Sequence, residues 1–368
     1  MCRRSRFIFL TSICLILAMA LIPIMTACTD ETTAPAPAPA PAPEPVKPIT
    51  LIFSTHDPEA NMMVNDIMKT WFAMIEDRSG GRIKIEPHYA GELASVPEAY
   101  GAVVKGTVDI AHSIITHEPS HLMENAFNLS VFDNISFRPS RTYMELYQQF
   151  PEFQAQYDQV KPVILYSMYA AHVGTTKKPV YKLEDVKGLK MVCGGILANT
   201  RGEGLGMIPV SASPPEVFSF WEKGVADGGT VVTAPNLFSS RWGDVIKYLT
   251  TVTMARSPQS VIMNRAKFNS LPPDLQKIFD DALIEMTDVA DASQYKSYTD
   301  AIARAPAEFG MEIIDLSKEE LARWVAADRP VIDSFIAELD AAGVPGAKFF
   351  EAYQALEKKY SAPEYRPN

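Results

Sequence analysis

Histidine is the residue type whose spacing in this chain most directly suggests chemistry. Five of the six histidines precede residue 170, and His112, His117 and His121 follow one another at intervals of five and four residues. Imidazole nitrogens are common zinc ligands, so this run could bind a metal ion. However, His112 is expected to end a strand, the other two fall in a loop, and acid or cysteine partners at ligand spacing are missing. Structural histidines are therefore the favoured interpretation, and a zinc-dependent shift in melting temperature would separate the two.

Catalytic groupings are the second possibility, and the sequence gives them little support. Cys193 could be a nucleophile with His172 as its base, but a small residue on a buried strand is usually part of the packing. The glycine cluster "RGEGLG" has neither P-loop nor dinucleotide-binding spacing, and no G-x-S-x-G elbow occurs. We therefore predict that the protein is not an enzyme, and we expect neither a cofactor nor a bound metal.

The N-terminus has the pattern of an export signal. Three arginines lie within residues 1–6, an apolar run covers 7–25, and two small residues precede Cys28. We interpret residues 1–27 as a signal peptide and Cys28 as a lipidated N-terminus; an uncleaved anchor and plain soluble export are the alternatives. Residues 28–48 form an Ala-Pro-rich linker, which favours extended polyproline II structure. We thus expect an extracytoplasmic protein, anchored to the membrane by its lipid.

Composition excludes one class of partner. The chain carries 34 basic and 44 acidic residues, and removing the signal arginines changes the net charge from −10 to −13. An acidic protein without a basic run is not expected to bind nucleic acid. Only Cys193 would remain as a thiol in the folded part, so stability must come from the apolar core rather than from a disulfide.

Strand and helix patterns alternate along residues 49–368 and predict an α/β protein with two lobes, similar in architecture to periplasmic binding proteins. The segment 272–309 has an unusually long helical pattern, which we interpret as a spine helix spanning both lobes, kinked or ended at Pro306. The predicted first lobe contains 49–170 and about 258–300. The second contains 171–257 and about 301–350, and 351–368 form a C-terminal tail. Ligands of such folds bind at the strand ends between lobes.

Five segments resemble one transport family. They are "GGRIKIEPHYAGEL", "VVKGTVDIA", "LEDVKGLKMV", "LGMIPVSASPPEVFSFWEKGVADG" and "VIMNRAKFNSLPPDLQKIFDDA". Together they are similar, in the same order, to substrate-binding proteins of TRAP (tripartite ATP-independent periplasmic) transporters of the DctP type. The resemblance implies a two-lobed subunit that captures a small organic solute, usually a carboxylate, and presents it to a membrane permease.

The same resemblance shows what this chain lacks. Most members have an arginine that pairs with the ligand carboxylate after the D-(L/M)-K-G-L-K motif, and here that position is Val192. A second basic position of the family falls near His172, and a family asparagine matches Val231. Either another cation replaces the arginine, or the ligand is neutral, aromatic or largely apolar.

We expect the ligand-binding residues to lie at these positions and at their neighbours. Arg201 is the first candidate for a replacement cation, ahead of Arg241 and the pair Lys177–Lys178, whereas Tyr100 and Ile114 would form an apolar wall with His56 as a donor. The interpretation as a TRAP solute-binding protein keeps one alternative, a metal- or ligand-sensing lipoprotein that is not coupled to TRAP transport.

Overall fold

The computed structural model of the chain describes residues 47–114, 121–129, 136–212 and 216–367. The predicted signal peptide, Cys28, nearly all of the Ala-Pro linker and His117 lie outside these residues. Everything described belongs to one compact unit, residues 46–368. No helix in the described ranges is both long and apolar enough to cross a bilayer.

The first lobe is built on a five-stranded sheet with the order β2-β1-β3-β10-β4. Its strands are β1 (Ile49–Ser54), β2 (Ile83–His88), β3 (Ile110–Ser113), β4 (Val160–Ser167) and β10 (Pro258–Asn264). β1 is parallel to β2 and β3, whereas β10 is antiparallel to β3 and β4. The alternation in "IKIE" has its expected effect: Ile83 and Ile85 are buried, and Lys84 and Glu86 face water.

The second lobe contains a six-stranded sheet with the order β11-β9-β5-β8-β6-β7. Its strands are β5 (Ala171–Thr175), β6 (Lys190–Val192), β7 (Ile208–Val210), β8 (Gly228–Thr233), β9 (Tyr248–Ala255) and β11 (Glu312–Ile314). β5 runs antiparallel to both β8 and β9, and the other pairs are parallel. Glycine at 228 permits the closest approach in this sheet, because a Cβ there would lie 2.1 Å from the carbonyl oxygen of Gly174.

Helices cover the sheets of both lobes. They are α1 (Lys69–Arg78), α2 (Ala99–Lys105), α3 (Leu122–Asn125), α4 (Pro139–Gln149), α5 (Pro151–Ala155), α6 (Ile196–Gly204), α7 (Val217–Glu222), α8 (Asn236–Ser239), α9 (Arg265–Ser270), α10 (Pro273–Phe309), α11 (Lys318–Ala341) and α12 (Gly346–Tyr360). A π-helical segment, Val64–Met68, leads into α1.

α10 is the spine helix that the sequence predicts. It contains 37 residues and ends at Gly310, whose φ of 61° is the left-handed conformation favoured by glycine at a helix C-terminus. Phe279 lies in the core of the first lobe, and Ala305 lies in a core cluster of the second. The sequence predicts that Pro306 kinks or ends the helix; α10 includes Pro306 in its last turn and stops three residues later, at Phe309. The two-lobed α/β fold with a connecting spine is thus confirmed.

The C-terminal helices differ from the division expected from the sequence. Trp324, near the start of α11, packs in the second lobe, but Phe335 and Leu339 further along the same helix pack in the first. Phe349 and Tyr353 of α12 are also buried in the first lobe's core. α11 therefore crosses between the lobes as α10 does, and much of 351–368 is a packed helix rather than a tail.

Candidate functional site between the lobes

The chain crosses between the two sheets at two short segments. β4 ends at Ser167 and β5 begins at Ala171, while β9 ends at Ala255 and β10 begins at Pro258. The two segments are joined by a hydrogen bond from the Met168 amide to the Ser257 carbonyl, 2.9 Å long. The strand ends nearest to these crossings therefore lie on the inner edges of both lobes, where an α/β fold binds its ligands.

A polar cluster occupies this edge of the first lobe. The Nδ1 atom of His112, which is fully buried at the end of β3, lies 2.9 Å from Oδ2 of Asp57 in the turn after β1. Its Nε2 lies 3.0 Å from Oε1 of Gln259, near the start of β10. The hydroxyl of Tyr166 is 3.1 Å from the same nitrogen and donates to Sδ of Met63 at 3.3 Å. Both ring nitrogens of His112 are thus within hydrogen-bonding distance of side-chain oxygen atoms.

Asp57 is held in one orientation by its own turn. Its Oδ1 accepts a hydrogen bond from Asn61 Nδ2 at 3.0 Å, and its Oδ2 accepts one from the Thr55 hydroxyl at 3.1 Å. Burial by itself would raise the pKa of Asp57, but the hydrogen bond and charge of His112, with a contribution from His56, outweigh it and lower the pKa. The carboxylate is therefore ionised near neutral pH.

His56 is the member of this cluster that water reaches. About a fifth of its side chain is exposed (22%), and its Nε2 lies 3.8 Å from Asp57 Oδ2. Its ring is nearly parallel to that of His112, with 4.8 Å between ring centres and 19° between planes. The structure thus places His56, which the sequence predicted as a donor, beside His112 and beside Asp57, which the sequence did not single out.

The histidine run predicted as a possible metal site is divided in the structure. His121 lies between two tyrosine rings, with its ring centre 5.1 Å from that of Tyr100 and 5.5 Å from that of Tyr157. Burial lowers the pKa of His121 to about 4, so the ring is neutral. His112, in contrast, belongs to the cluster with Asp57. Tyr100 and the half-buried Ile114, both predicted as wall residues, are in the first lobe, Ile114 directly after β3.

On the second lobe, His172 connects the sheet to the spine. It is fully buried, its Nδ1 lies 3.2 Å from the Val252 carbonyl, and its Nε2 lies 2.9 Å from the Tyr298 hydroxyl. Burial lowers the pKa of His172 to about 4. The ring is therefore neutral at pH 7 and contributes no positive charge near the position where the family often has a basic residue.

Val192 packs into the second lobe's core. It is buried together with Val232 and Trp221, and its Cβ lies 3.4 Å from where a Cβ on Gly229 would be. Val231 is half-buried against the same cluster. Positions 192 and 231, where the family has polar side chains, therefore hold valines here, and those valines pack against other apolar residues.

Arg201, the predicted replacement cation, is enclosed in the second lobe. Only 1% of the residue is exposed, its Nε lies 2.9 Å from Asp328 Oδ1 on α11, and its Nη1 donates to the Met254 carbonyl. Burial raises the pKa of Asp328, and the charge of Arg201 opposes that shift. In this arrangement the guanidinium is directed at α11 and at the end of β9.

The remaining candidate cations lie on the outer surface. Arg241 is mostly exposed and pairs with Asp244 at 2.7 Å. Lys178 donates to the backbone carbonyl of Asp185 at 2.8 Å. Lys177 borders a surface pocket together with Trp221 rather than lying among the predicted site residues.

The sequence missed Asp57, Tyr166 and Gln259. Asp57 stands directly after the first strand in "STHD", and the rule that ligands bind at strand ends could have selected it. Tyr166 and Gln259 approach His112 only because β10 inserts between β3 and β4, and local sequence does not indicate that strand order.

Comparison with known proteins identifies the family. Residues 53–339 match the family model described as bacterial extracellular solute-binding protein, family 7 (DctP). The chain belongs to this family. It is a TRAP-type extracytoplasmic solute-binding protein and not an enzyme, as the sequence predicted.

Individual relatives agree with this assignment. The chain is 26% identical over 272 residues to a solute-binding protein of Verminephrobacter eiseniae. The aligned region covers 72% of this chain and 79% of the relative. A marine-metagenome TRAP solute-binding protein, specific for aromatic acid ligands and solved with metahydroxyphenylacetate, has a TM-score of 0.78 at 23% identity, covering 85% and 100% of the two chains. A TRAP protein from Roseobacter denitrificans with bound β-D-glucuronate has a TM-score of 0.70 at 18% identity, covering 83% and 99%. The alternative of a sensor uncoupled from transport is not favoured by these matches.

Proposed function

We propose that this protein captures a small aromatic organic acid between its lobes and delivers it to a TRAP membrane permease. The observation that carries the proposal is the apolar character of the second lobe at the positions where the family has polar residues: Val192 is buried there, and Val231 is partly exposed. An aromatic ring gains free energy from such a surface, at about 25 cal/mol per Å² of apolar area buried. A polyhydroxylated sugar acid would leave hydroxyl groups there without partners.

The comparisons support the ligand class without deciding it. The similar metagenome protein binds aromatic acids, and the Roseobacter protein binds a sugar acid, so the shared fold accommodates both. The side chains must therefore discriminate. His56, Tyr100, Ile114, His172, Val192, Arg201 and Val231 remain our proposed site residues, of which His56, Tyr100, Ile114 and Val231 are partly exposed.

A thermal-shift series would test the ligand class. We expect 3-hydroxyphenylacetate and benzoate to raise the melting temperature, and glucuronate at equal concentration to leave it unchanged. A ligand at ten times its Kd adds about 1.4 kcal/mol, which is a shift of a few degrees at most. A shift with glucuronate alone would refute the aromatic assignment.

A pair of valine variants would locate the binding surface. Val231→Asn adds polarity to the proposed wall and should weaken binding of the aromatic acid about tenfold. Val225→Asn makes the same change at a residue that is 44% exposed on the outer surface, and should bind as the wild type does. Equal affinities in the two variants would show that Val231 does not contact the ligand.

The tether and the permease are part of the same proposal. Lipidation at Cys28 would hold the folded unit near its membrane partner through the Ala-Pro linker. Cys28→Ala should move the protein from the membrane fraction to the soluble extracytoplasmic fraction of the cell, and Cys193→Ala should not.

Uptake of the aromatic acid should require both this protein and the permease, and uptake that persists without the permease would contradict the coupling.

A further inference from the structure

His56, Asp57 and His112 bring three metal-ligating atoms together. In the described ranges of the chain they form a group in which one ring nitrogen or carboxylate oxygen of each residue lies within 4.8 Å of the others. Asp57 Oδ2 is 2.9 Å from His112 Nδ1 and 3.8 Å from His56 Nε2. His112 and Asp57 are buried, and His56 gives the group its access to water.

The spacing is close to that of a tetrahedral metal site. Ligand atoms at about 2.0–2.1 Å from a zinc ion lie about 3.3–3.4 Å from one another. The 2.9 Å separation would have to widen by roughly half an ångström and the 3.8 Å separation to shorten by a similar amount. The rings of His56 and His112 are stacked, with 4.8 Å between their centres and 19° between their planes, so the exposed ring of His56 would have to turn for both nitrogens to point at one ion.

The groups around these residues are those that orient metal ligands. If Nδ1 of His112 binds a metal, its Nε2–H must donate to an acceptor, and Gln259 Oε1 is already in place at 3.0 Å. The second oxygen of Asp57 is fixed by Asn61 Nδ2 at 3.0 Å. Gln259 is in turn oriented by its donation to the Ser257 hydroxyl at 2.7 Å, in the segment that crosses between the lobes.

We propose that His56, Asp57 and His112 bind a divalent first-row transition metal ion, best matched by Zn²⁺, whose open position accepts the carboxylate of the solute. The proposal rests on the proposed function, because it explains how an acidic ligand is held without the family arginine. One aspartate and two neutral imidazoles around a doubly charged ion leave a net charge of about +1, which would attract a carboxylate.

The ligand set selects the type of ion. Two imidazoles and one carboxylate suit zinc, and also cobalt or nickel, whereas magnesium and calcium prefer oxygen ligands alone. Three protein ligands with a fourth position open is the arrangement of zinc sites that bind an exchangeable group. Here that group would be the solute, and we assign no catalytic step to it.

Titration of the metal-stripped protein with Zn²⁺ and with Co²⁺ would test the site. We expect a rise in melting temperature with both ions, and visible absorption from tetrahedral Co²⁺. His56→Gln and Asp57→Asn keep size and polarity at partly exposed or hydrogen-bonded positions, and each should weaken binding at least about 100-fold. His88→Gln is the matched control, since His88 lies 3.5 Å from Glu86 and 3.1 Å from Glu92 on the surface and could bind ions there.

Three results would overturn the proposal: no shift with either ion, an unchanged shift in both His56→Gln and Asp57→Asn, or a shift lost in His88→Gln. Adding benzoate with and without EDTA separates this proposal from the proposed function. Benzoate binding that persists in EDTA would refute the metal site and leave the solute class standing. Zinc binding at His56 and Asp57 without any aromatic-acid binding would refute the proposed solute class, and the carboxylate part of this proposal with it.

Discussion

Glu124 should make the stability of the first lobe depend on pH. It lies on α3, is fully buried, and has Tyr143 and Tyr157 as neighbours. Burial raises the pKa of Glu124 to about 8, and the neighbouring Tyr157 and Tyr143 oppose that shift only in part. Because the unfolded chain ionises at about 4.5, the folded state holds a proton between pH 4.5 and 8 that the unfolded state has lost.

The direction and the size of the pH dependence follow from the difference between these two pKa values. Stability falls as pH rises from about 4.5 to 8 and then levels off, since the unfolded state gains from ionising while the folded state cannot. At about 1.4 kcal/mol per pKa unit, the loss between pH 5 and pH 8 is on the order of 3–4 kcal/mol. Glu124→Gln imitates the neutral acid and cannot titrate, so it should lose this part of the pH dependence.

Urea unfolding of the wild type and Glu124→Gln at pH 5, 6, 7 and 8 would measure the effect. The variant's free energy of unfolding should exceed that of the wild type by a margin that grows to about 3–4 kcal/mol at pH 8, a midpoint difference of about 1 M urea. Glu351→Gln removes an exposed carboxylate on α12 and should follow the wild type. Parallel curves for wild type and Glu124→Gln would refute the reasoning, because Glu124 would then ionise alike in both states.

Three further substitutions test the packing that positions the site. Asp328→Ala leaves Arg201 buried without its carboxylate, and should lower the free energy of unfolding by about 3–5 kcal/mol in urea; a loss below 1 kcal/mol would mean that the pair is not buried. Gly228→Ala would bring a methyl group against the Gly174 carbonyl, so we expect loss of soluble protein or a much lower melting temperature by circular dichroism. Phe279→Ala empties a core position on the buried face of the spine helix and should cost about 3–5 kcal/mol in calorimetry, whereas a neutral result would contradict its burial.

The fold could be predicted because its signals are local. Alternation in 82–88 gives a strand with one buried face, and the uninterrupted pattern of 272–309 gives the spine helix, with bounds that differ from the structure by one residue. The path of α11 between lobes could not be predicted, since both halves of the helix are amphipathic and only tertiary packing assigns each half to a lobe.

The site was predictable only in part, for a similar reason. A motif can show that Val192 occupies the position of a missing arginine, because the flanking residues fix the register. It cannot show what His112 contacts, since Asp57 is 55 residues away and Gln259 is 147 residues away along the chain. Arg201 looked available in the sequence because its partner, Asp328, is 127 residues distant.

Arg201 already pairs with the buried Asp328, so an acidic solute needs another positive group to bind to. If Arg201 turned from Asp328 to a ligand carboxylate, Asp328 would remain buried with no cation, at a cost of about 3–5 kcal/mol. A solute bound with a micromolar Kd has a binding free energy of about −8 kcal/mol. Moving Arg201 from Asp328 to the ligand would thus offset roughly half of the binding free energy. A positive charge supplied by a metal ion at His56, Asp57 and His112 would leave the pair between Arg201 and Asp328 intact. An acidic ligand that takes Arg201 from Asp328 should therefore bind weakly.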